Sequence, residues 1–236
     1  MDYAIIAAGE GSRLVREGVE TPKPLVRLNG VPLVERLMRV FVDNGASSIS
    51  IIVNEAMTDV RTYLTTLRLP VPLHLHVQST PGSMHSFHAL SRYLQGERFC
   101  LTTVDTIFRA EEFGRYIRAF DAAPALDGLM AVTDFVDDEK PLHVKTDEEG
   151  MIRDFTDRPE PGIRYVSGGI YCLKRSALHV LDVALAEGME RMRDYQRRLI
   201  AAGLQLQAYP FSKIIDVDHA GDIAKAEQFL DPTRKQ

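Results

Sequence analysis

A chain of 236 residues, 45% hydrophobic and 26% charged, has an ordinary globular composition and the length to bury a substantial core in one domain without staples. Its 28 Lys and Arg against 33 Asp and Glu leave a formal charge of −5, which argues against a nucleic-acid surface but not against a local cationic site. No apolar run reaches the length of a membrane span, and the first one starts almost at Met1 without a basic leader, so no membrane association and a cytoplasmic location are expected.

Residues 3–8, YAIIAA, read as a buried strand that ends in a glycine turn. A helix is expected over VPLVERLMRVFVD, with Leu33, Leu37, Val40 and Phe41 at helical spacing and Asn44-Gly45 as its stop. ISIIVN (49–54) reads as a strand, MTDVRTYLTTL as a helix and LHLHVQ as an alternating strand. STPGS is a turn, MHSFHALSRYL a helix, and FCLTTVD (99–105) another buried strand. Beyond residue 130 the pattern changes to short strands, AVTDF, LHVKTD and MIRDFTD, followed by the longer RYVSGGIYCL. SALHVLDVALAEG and DYQRRLIAAG read as helices, LQLQAYPF and KIIDVD as strands, and AGDIAKAEQFL as the closing helix before a solvated tail.

Strand–helix–strand units with short connections predict parallel strands covered on both faces. The expected fold is a Rossmann-like three-layer α/β/α domain with a mixed, mainly parallel sheet and a small antiparallel insertion. Ligands of such sheets gather beyond the carboxyl ends of the strands. That rule sets the loop after Ala8, the segment after Gln78, and Asp105 along one rim. Cys100 and Cys172 sit in apolar runs and read as buried thiols. His74, His76, His85 and His88 lack the cysteines or carboxylates that would complete a zinc site.

A strand ending in a glycine-rich turn presents backbone N–H groups to an anion. Gly9 and Gly11 match two glycines of the dinucleotide fingerprint, but Leu14 stands at the third small position and no acidic residue ends a second strand at the required distance. Arg13 and Lys23 instead set two cations beside the turn, as a triphosphate requires. Prolines on both sides of Lys23, in Thr21-Pro22-Lys23-Pro24-Leu25, stiffen the segment that carries it.

Ala8-Gly9-Glu10-Gly11-Ser12-Arg13-Leu14 followed by Pro22-Lys23-Pro24-Leu25 resembles the paired hallmark of the sugar-phosphate nucleotidyltransferases, the nucleoside-diphosphate-sugar pyrophosphorylases. The resemblance implies one nucleotidyltransferase domain over 1–236, with a nucleotide-binding half (1–130) and an acceptor-binding half (131–230). It implies an NTP and a phosphorylated sugar as partners, or an alcohol phosphate such as phosphocholine in a cytidylyltransferase, with Mg²⁺ as cofactor. A non-catalytic sensor of sugar nucleotides would share the fold, and a homo-oligomer is compatible with it. Ala8, Gly9, Glu10, Gly11 and Ser12 would hold the phosphates, and Arg13 and Lys23 would carry the catalytic charge.

HVQSTPGSMHSFHAL resembles the family's nucleobase segment and implies that Gln78, Gly82 and Ser83 meet the base. FCLTTVDTIF resembles the strand that ends in a metal-binding aspartate, here Asp105, with Val104 where the family has glycine. KIIDVDHAGDIAKAE resembles the closing motif W-x-D-x-x-T-P-x-D-L. Asp216 aligns with its metal ligand, Asp218 two residues on is a second candidate, and Asp222 suits a helix cap. The acceptor motifs E-K-P and N-x-G-I-Y correspond to Asp157-Arg158-Pro159 and Ser167-Gly168-Gly169-Ile170-Tyr171. They imply that Arg158, Ser167, Gly168 and Gly169 bind the acceptor. Three departures (Asp for Glu, Arg for Lys, Ser for Asn) point to an acceptor other than the commonest hexose phosphates.

Overall fold

Strand and helix alternate through the first half of the chain, in a computed structural model that describes residues 1–137 and 139–231. The order is β1 (Asp2–Ile6), α1 (Ser12–Arg16), the hairpin β2 (Arg27–Leu28) and β3 (Val31–Pro32), then α2 (Leu33–Asp43) and β4 (Ser48–Val53). There follow α3 (Thr58–Thr66), β5 (Leu73–Val77), α4 (Ser83–Ser91), β6 (Arg98–Thr103), β7 (Thr106–Ile107) and α5 (Ala110–Asp121). The second half opens with β8 (Gly128–Thr133), β9 (His143–Thr146), β10 (Ile152–Thr156) and the long β11 (Tyr165–Lys174). It closes with α6 (Ser176–Ala186), α7 (Met192–Ala201), β12 (Leu206–Phe211), β13 (Ile215–Asp216) and α8 (Ala220–Leu230).

β6, β1, β4 and β5 run parallel, in that spatial order. β11 joins β6 antiparallel through Ile170–Lys174 and pairs on its other side with β8 and β9. β10 extends β9 antiparallel, and β12 lies parallel to β8. All of these strands continue the main sheet. Two separate two-stranded antiparallel sheets, β2–β3 and β7–β13, lie off it.

β1 shows why the central strands read as unbroken apolar runs. Tyr3 and Ile5 enter the core on one face with Phe41 of α2 and Phe113 of α5. Ala4 and Ile6 enter the core on the other, with Phe87 of α4 and Tyr195 of α7. A strand with period 2 between two helical layers must be apolar at every position. Tyr3 stacks on Phe41 with ring centroids 4.4 Å apart.

The strands and helices expected from the sequence form within a few residues of their predicted bounds. β1 stops at Ile6, which leaves Ala7 and Ala8 to the loop. The sequence reading left residues 106–130 unassigned, and α5 lies there. It buries Phe113, Tyr116, Ile117 and Phe120, an i, i+3, i+4, i+7 pattern that does signal a helix.

Cys100 and Cys172 face each other across β6 and β11 as free, fully buried thiols. His74 stacks on Tyr93. Among the described residues, no group of three or more His, Cys, Asp or Glu is arranged to hold a metal, and no helix is long and apolar enough to cross a membrane. Asp2, 7% exposed, clasps the amino edge of the sheet. Its Oδ1 accepts from the Ser47 and Ser48 hydroxyls at 2.7 and 2.9 Å, and its Oδ2 from the Gly96 N–H at 2.8 Å.

Candidate active site

Beyond the carboxyl ends of β1, β4, β5 and β6 lies a cleft of about 760 Å³, lined by Ala7–Gly11, Ser79–Ser83 and Thr103–Asp105 among others. The three segments that the strand-end rule set on one rim therefore meet in one cavity. Ala8, Gly9, Glu10 and Gly11 line it, whereas Ser12 begins α1 outside the lining. Because α1 is only five residues long, its dipole is slight, and any anion there depends on the loop's own amides. Gly11 has φ +63°, and a Cβ on it would sit 3.3 Å from Lys23 Cβ. A side chain at that position would strain the turn and press on the lysine.

Gly82 and Ser83 also line the cleft, but Gln78 does not. Its Oε1 lies 2.9 Å from His76 Nε2 at the exposed edge of β5. The polar groups present instead include Thr80 and Ser86, whose hydroxyls are 2.6 Å apart. Asn54 was missed in the sequence. Its amide nitrogen donates to Ala8 O at 3.1 Å and its Oδ1 accepts from Ala56 N–H at 3.0 Å, so it braces the glycine loop from the end of β4. Its place immediately after that strand was the available signal.

Lys23, at the start of a 3-10 turn, stands at the floor of this cleft. Its Nζ donates to Asp105 Oδ2 at 2.7 Å and to Asp218 Oδ1 at 2.6 Å. Arg13 Nη1 donates to the other oxygen of Asp218 at 2.9 Å. Burial alone would lower the Lys23 pKa, but the charges and hydrogen bonds of Asp105 and Asp218 outweigh it and hold the ammonium above the ordinary lysine value.

Backbone pairing brings Asp218 to this point from the far end of the chain. β13 runs antiparallel to β7, with Ile215 opposite Ile107 and Asp216 opposite Thr106, and Val217 N–H donates to Asp105 O at 3.1 Å. Val217 is buried, and Asp216 and Asp218 alternate to its other side. Asp218 contacts Lys23, and both aspartates line a second cavity. Asp222 caps α8 as expected, its Oδ2 accepting from the N–H groups of Asp218 and His219 at 3.2 and 2.8 Å. Glu17, just past α1, accepts from Ala220 N–H at 2.7 Å and lies 2.6 Å from His219 Nδ1. The glycine loop and the closing helix are thereby tied together.

The second cavity, of about 320 Å³, includes Arg13, Phe135, Ser167, Gly168, Asp216 and Asp218 in its lining. Arg13 and Asp218 form its wall toward Lys23. Between Ser167 and Tyr171 the register of β11 against β8 shifts by a bulge. The glycines serve that bulge: a Cβ on Gly168 would overlap Ile214 Cδ1, and Gly169 has φ +72°. Gly169 is not on the lining, although its carbonyl accepts from Thr102 Oγ1 at 3.0 Å. Nor is Arg158 on it. Its neighbour Asp157 is bridged by Arg193 and Arg197 of α7 at 2.5 and 2.7 Å.

The chain and its fold resemble known proteins. The chain is 29% identical over 233 residues to a bifunctional IPC transferase and DIPP synthase of Rubrobacter xylanophilus, covering 96% of this chain and 51% of that one. It thus spans about half the length of that relative. Its fold matches the inositol-1-phosphate CTP transferase from T. maritima with a TM-score of 0.77 at 19% identity, over 97% of both chains. It also matches a UDP-glucose pyrophosphorylase from Acinetobacter baumanii with a TM-score of 0.78 at 17% identity, over 97% of this chain and 92% of that one. The model of the MobA-like NTP transferase domain matches residues 3–200, a segment that holds Arg13, Lys23 and Asp105 and stops short of Asp216 and Asp218. With so much of its length matched, the chain belongs to the MobA-like NTP transferase family.

Proposed function

We propose that this chain transfers a nucleotidyl group from an NTP to a phosphorylated sugar or cyclic polyol, releasing pyrophosphate. One observation carries the reading: Lys23 lines the larger cleft beside Asp105 and also bonds Asp218, which lines the smaller cavity. The larger cleft suits a nucleotide. The smaller one, at about 320 Å³, suits a single ring with its phosphate. Carboxylates on its wall, Asp137, Glu139 and Asp216, offer acceptors to ring hydroxyls.

In this reading an oxygen of the acceptor phosphate attacks the α-phosphorus opposite the departing pyrophosphate. That oxygen is already anionic near neutral pH, so the step needs no general base. Catalysis rests on alignment and on neutralising charge. The loop amides of 9–11 hold the outer phosphates, Lys23 serves the two reacting phosphates, and Arg13 faces the acceptor side.

The donor set fits Mg²⁺. Asp105 and Asp218 present hard oxygens that already straddle a cation, and this ion commonly takes one or two carboxylates, with substrate phosphates and water filling its remaining positions. When bound, it supplies further neutralisation of the phosphates. CTP with inositol 1-phosphate is the first pair to try, in view of the T. maritima neighbour's name. The test is pyrophosphate release from each NTP against inositol 1-phosphate, glucose 1-phosphate and phosphocholine. Release with one of the two ring phosphates is the expected result. Release with phosphocholine alone would replace the acceptor assignment, and no release with any pair would overturn the reading.

A further inference from the structure

Gln196 of α7 is 3% exposed, an unusual place for a primary amide. Both ends of its amide bond the bulged strand β11. Its Oε1 accepts from the Ser167 hydroxyl at 2.8 Å, and its Nε2 donates to the Tyr171 hydroxyl at 3.3 Å. A buried amide costs stability unless it is bonded, and an apolar side chain would fill this position of α7 more cheaply. The neighbours of Gln196 on the same helix, Tyr195 and Leu199, are themselves buried. The amide therefore has a use that packing alone does not explain.

Ser167 is the end of this network that reaches a cavity. It is half-buried, it lines the smaller cavity beside Gly168, and its backbone N–H is already spent on Leu142 O at 2.8 Å. Its hydroxyl is thus its one remaining donor. The Tyr171 phenol is pushed up to about 12 by burial, against a lowering hydrogen bond from the Ser167 side chain, and stays protonated at neutral pH. Ser167 also stands where the nucleotidyltransferase pattern has asparagine.

We propose that Gln196 is a positioning residue for the acceptor: by taking the Ser167 hydrogen, it leaves Ser167 Oγ to face the cavity as a hydrogen-bond acceptor only. A hydroxyl carries one hydrogen and two lone pairs. With the hydrogen committed inward, the bound substrate must present a donor at that point, as a ring hydroxyl does, and a phosphate oxygen there is disfavoured. The inference rests on reading the smaller cavity as the acceptor site.

The experiment is steady-state kinetics of the full chain and its variants, with the NTP and acceptor that the wild type turns over. Gln196→Leu frees the Ser167 hydrogen and is expected to raise the acceptor KM about tenfold, the loss of one uncharged hydrogen bond. The NTP KM and the melting curve should stay near wild type. Gln196→Glu keeps an oxygen toward Ser167 in either protonation state and should hold the acceptor KM within about threefold. Ser167→Ala should match Gln196→Leu, and the double variant should be no worse than either single one. An acceptor KM that moves with Ser167→Ala but not with Gln196→Leu overturns the positioning role alone. A KM moved by neither overturns the reading of the cavity, as does a wild type inactive with every acceptor. Equal losses toward NTP and acceptor in Gln196→Leu, unrepaired in Gln196→Glu, would show a merely structural role.

Discussion

The Lys23 ammonium lies 2.6 Å from Asp218 Oδ1 although the two residues are 195 positions apart in the chain. With Asp105 Oδ2 on its other side at 2.7 Å, it neutralises the two carboxylates best placed to meet a divalent cation. The lysine and such an ion therefore compete for the same oxygens. In Lys23→Ala that competition ends. Turnover is expected to fall about 100-fold or more, the scale of removing one preorganised donor. Mn²⁺ binding without nucleotide, followed by electron paramagnetic resonance, should tighten about tenfold or more as the local positive charge disappears. Unchanged Mn²⁺ affinity would show that ammonium and ion do not share the site.

The two aspartates of the closing motif should separate kinetically. Both line the smaller cavity, and Asp218 also touches Lys23 and Arg13. Asp218→Asn is expected to lower kcat/KM about 100-fold, and Asp216→Asn to act chiefly on the acceptor KM, by about tenfold or less. The reverse order would return the central role to Asp216, the residue that the family pattern aligns.

Gly168 and Ile214 form a packing couple. A Cβ at Gly168 would overlap Ile214 Cδ1, so Gly168→Ala should cost about 1–3 kcal/mol by overpacking. Ile214→Val removes that Cδ1. The double variant should recover most of the loss, which a thermal-unfolding double-mutant cycle would read as favourable coupling. Simple additivity would mean that Gly168 is needed for its backbone rather than for space.

Asp2 should make stability pH-dependent at the acid end. Burial pushes its carboxyl up, but the Gly96 N–H and the Ser47 and Ser48 hydroxyls more than offset that and hold it below 3.8. A carboxyl lowered in the folded state contributes its full stability above the unfolded value and loses it as pH falls toward the folded one. Asp2→Asn turns an amide toward the Gly96 donor and should cost about 1–3 kcal/mol at pH 7. In urea titrations the gap from wild type should be constant down to about pH 4 and shrink below it. A gap that persists undiminished into acid would show that the carboxylate charge is not what the clasp uses.

The site was partly legible before folding. Gly9, Gly11, Lys23 and Asp105 could be read because each sits at the end of a strand or in a proline-stiffened turn, and a local pattern marks both. That Gln78 and Arg158 lie off the linings of both cavities was not legible, for a different reason. Which way a side chain turns at a loop or hairpin depends on neighbours such as His76 for the glutamine, and on the Asp157 bridge to α7 beside the arginine. Asn54 carried only its place after β4, and Gln196 carried no signal at all. A buried amide within a helix is recognisable only once its partners are known.

The sequence by itself determined the alternation of strands and helices and the apolar character of both faces of β1, because hydrophobic period and turn chemistry act over a few residues. It also determined the glycine turn after β1, in which the structure gives Gly11 a left-handed φ of +63°. Only the tertiary structure decided that Asp218 rather than Asp216 meets Lys23, and that Arg13 turns toward the smaller cavity. Those choices depend on the pairing of β13 with β7 and on the Val217–Asp105 hydrogen bond. In a strand that pairs with a segment so distant in the chain, register is set by backbone hydrogen bonds and by the burial of Val217, and no local spacing contains it.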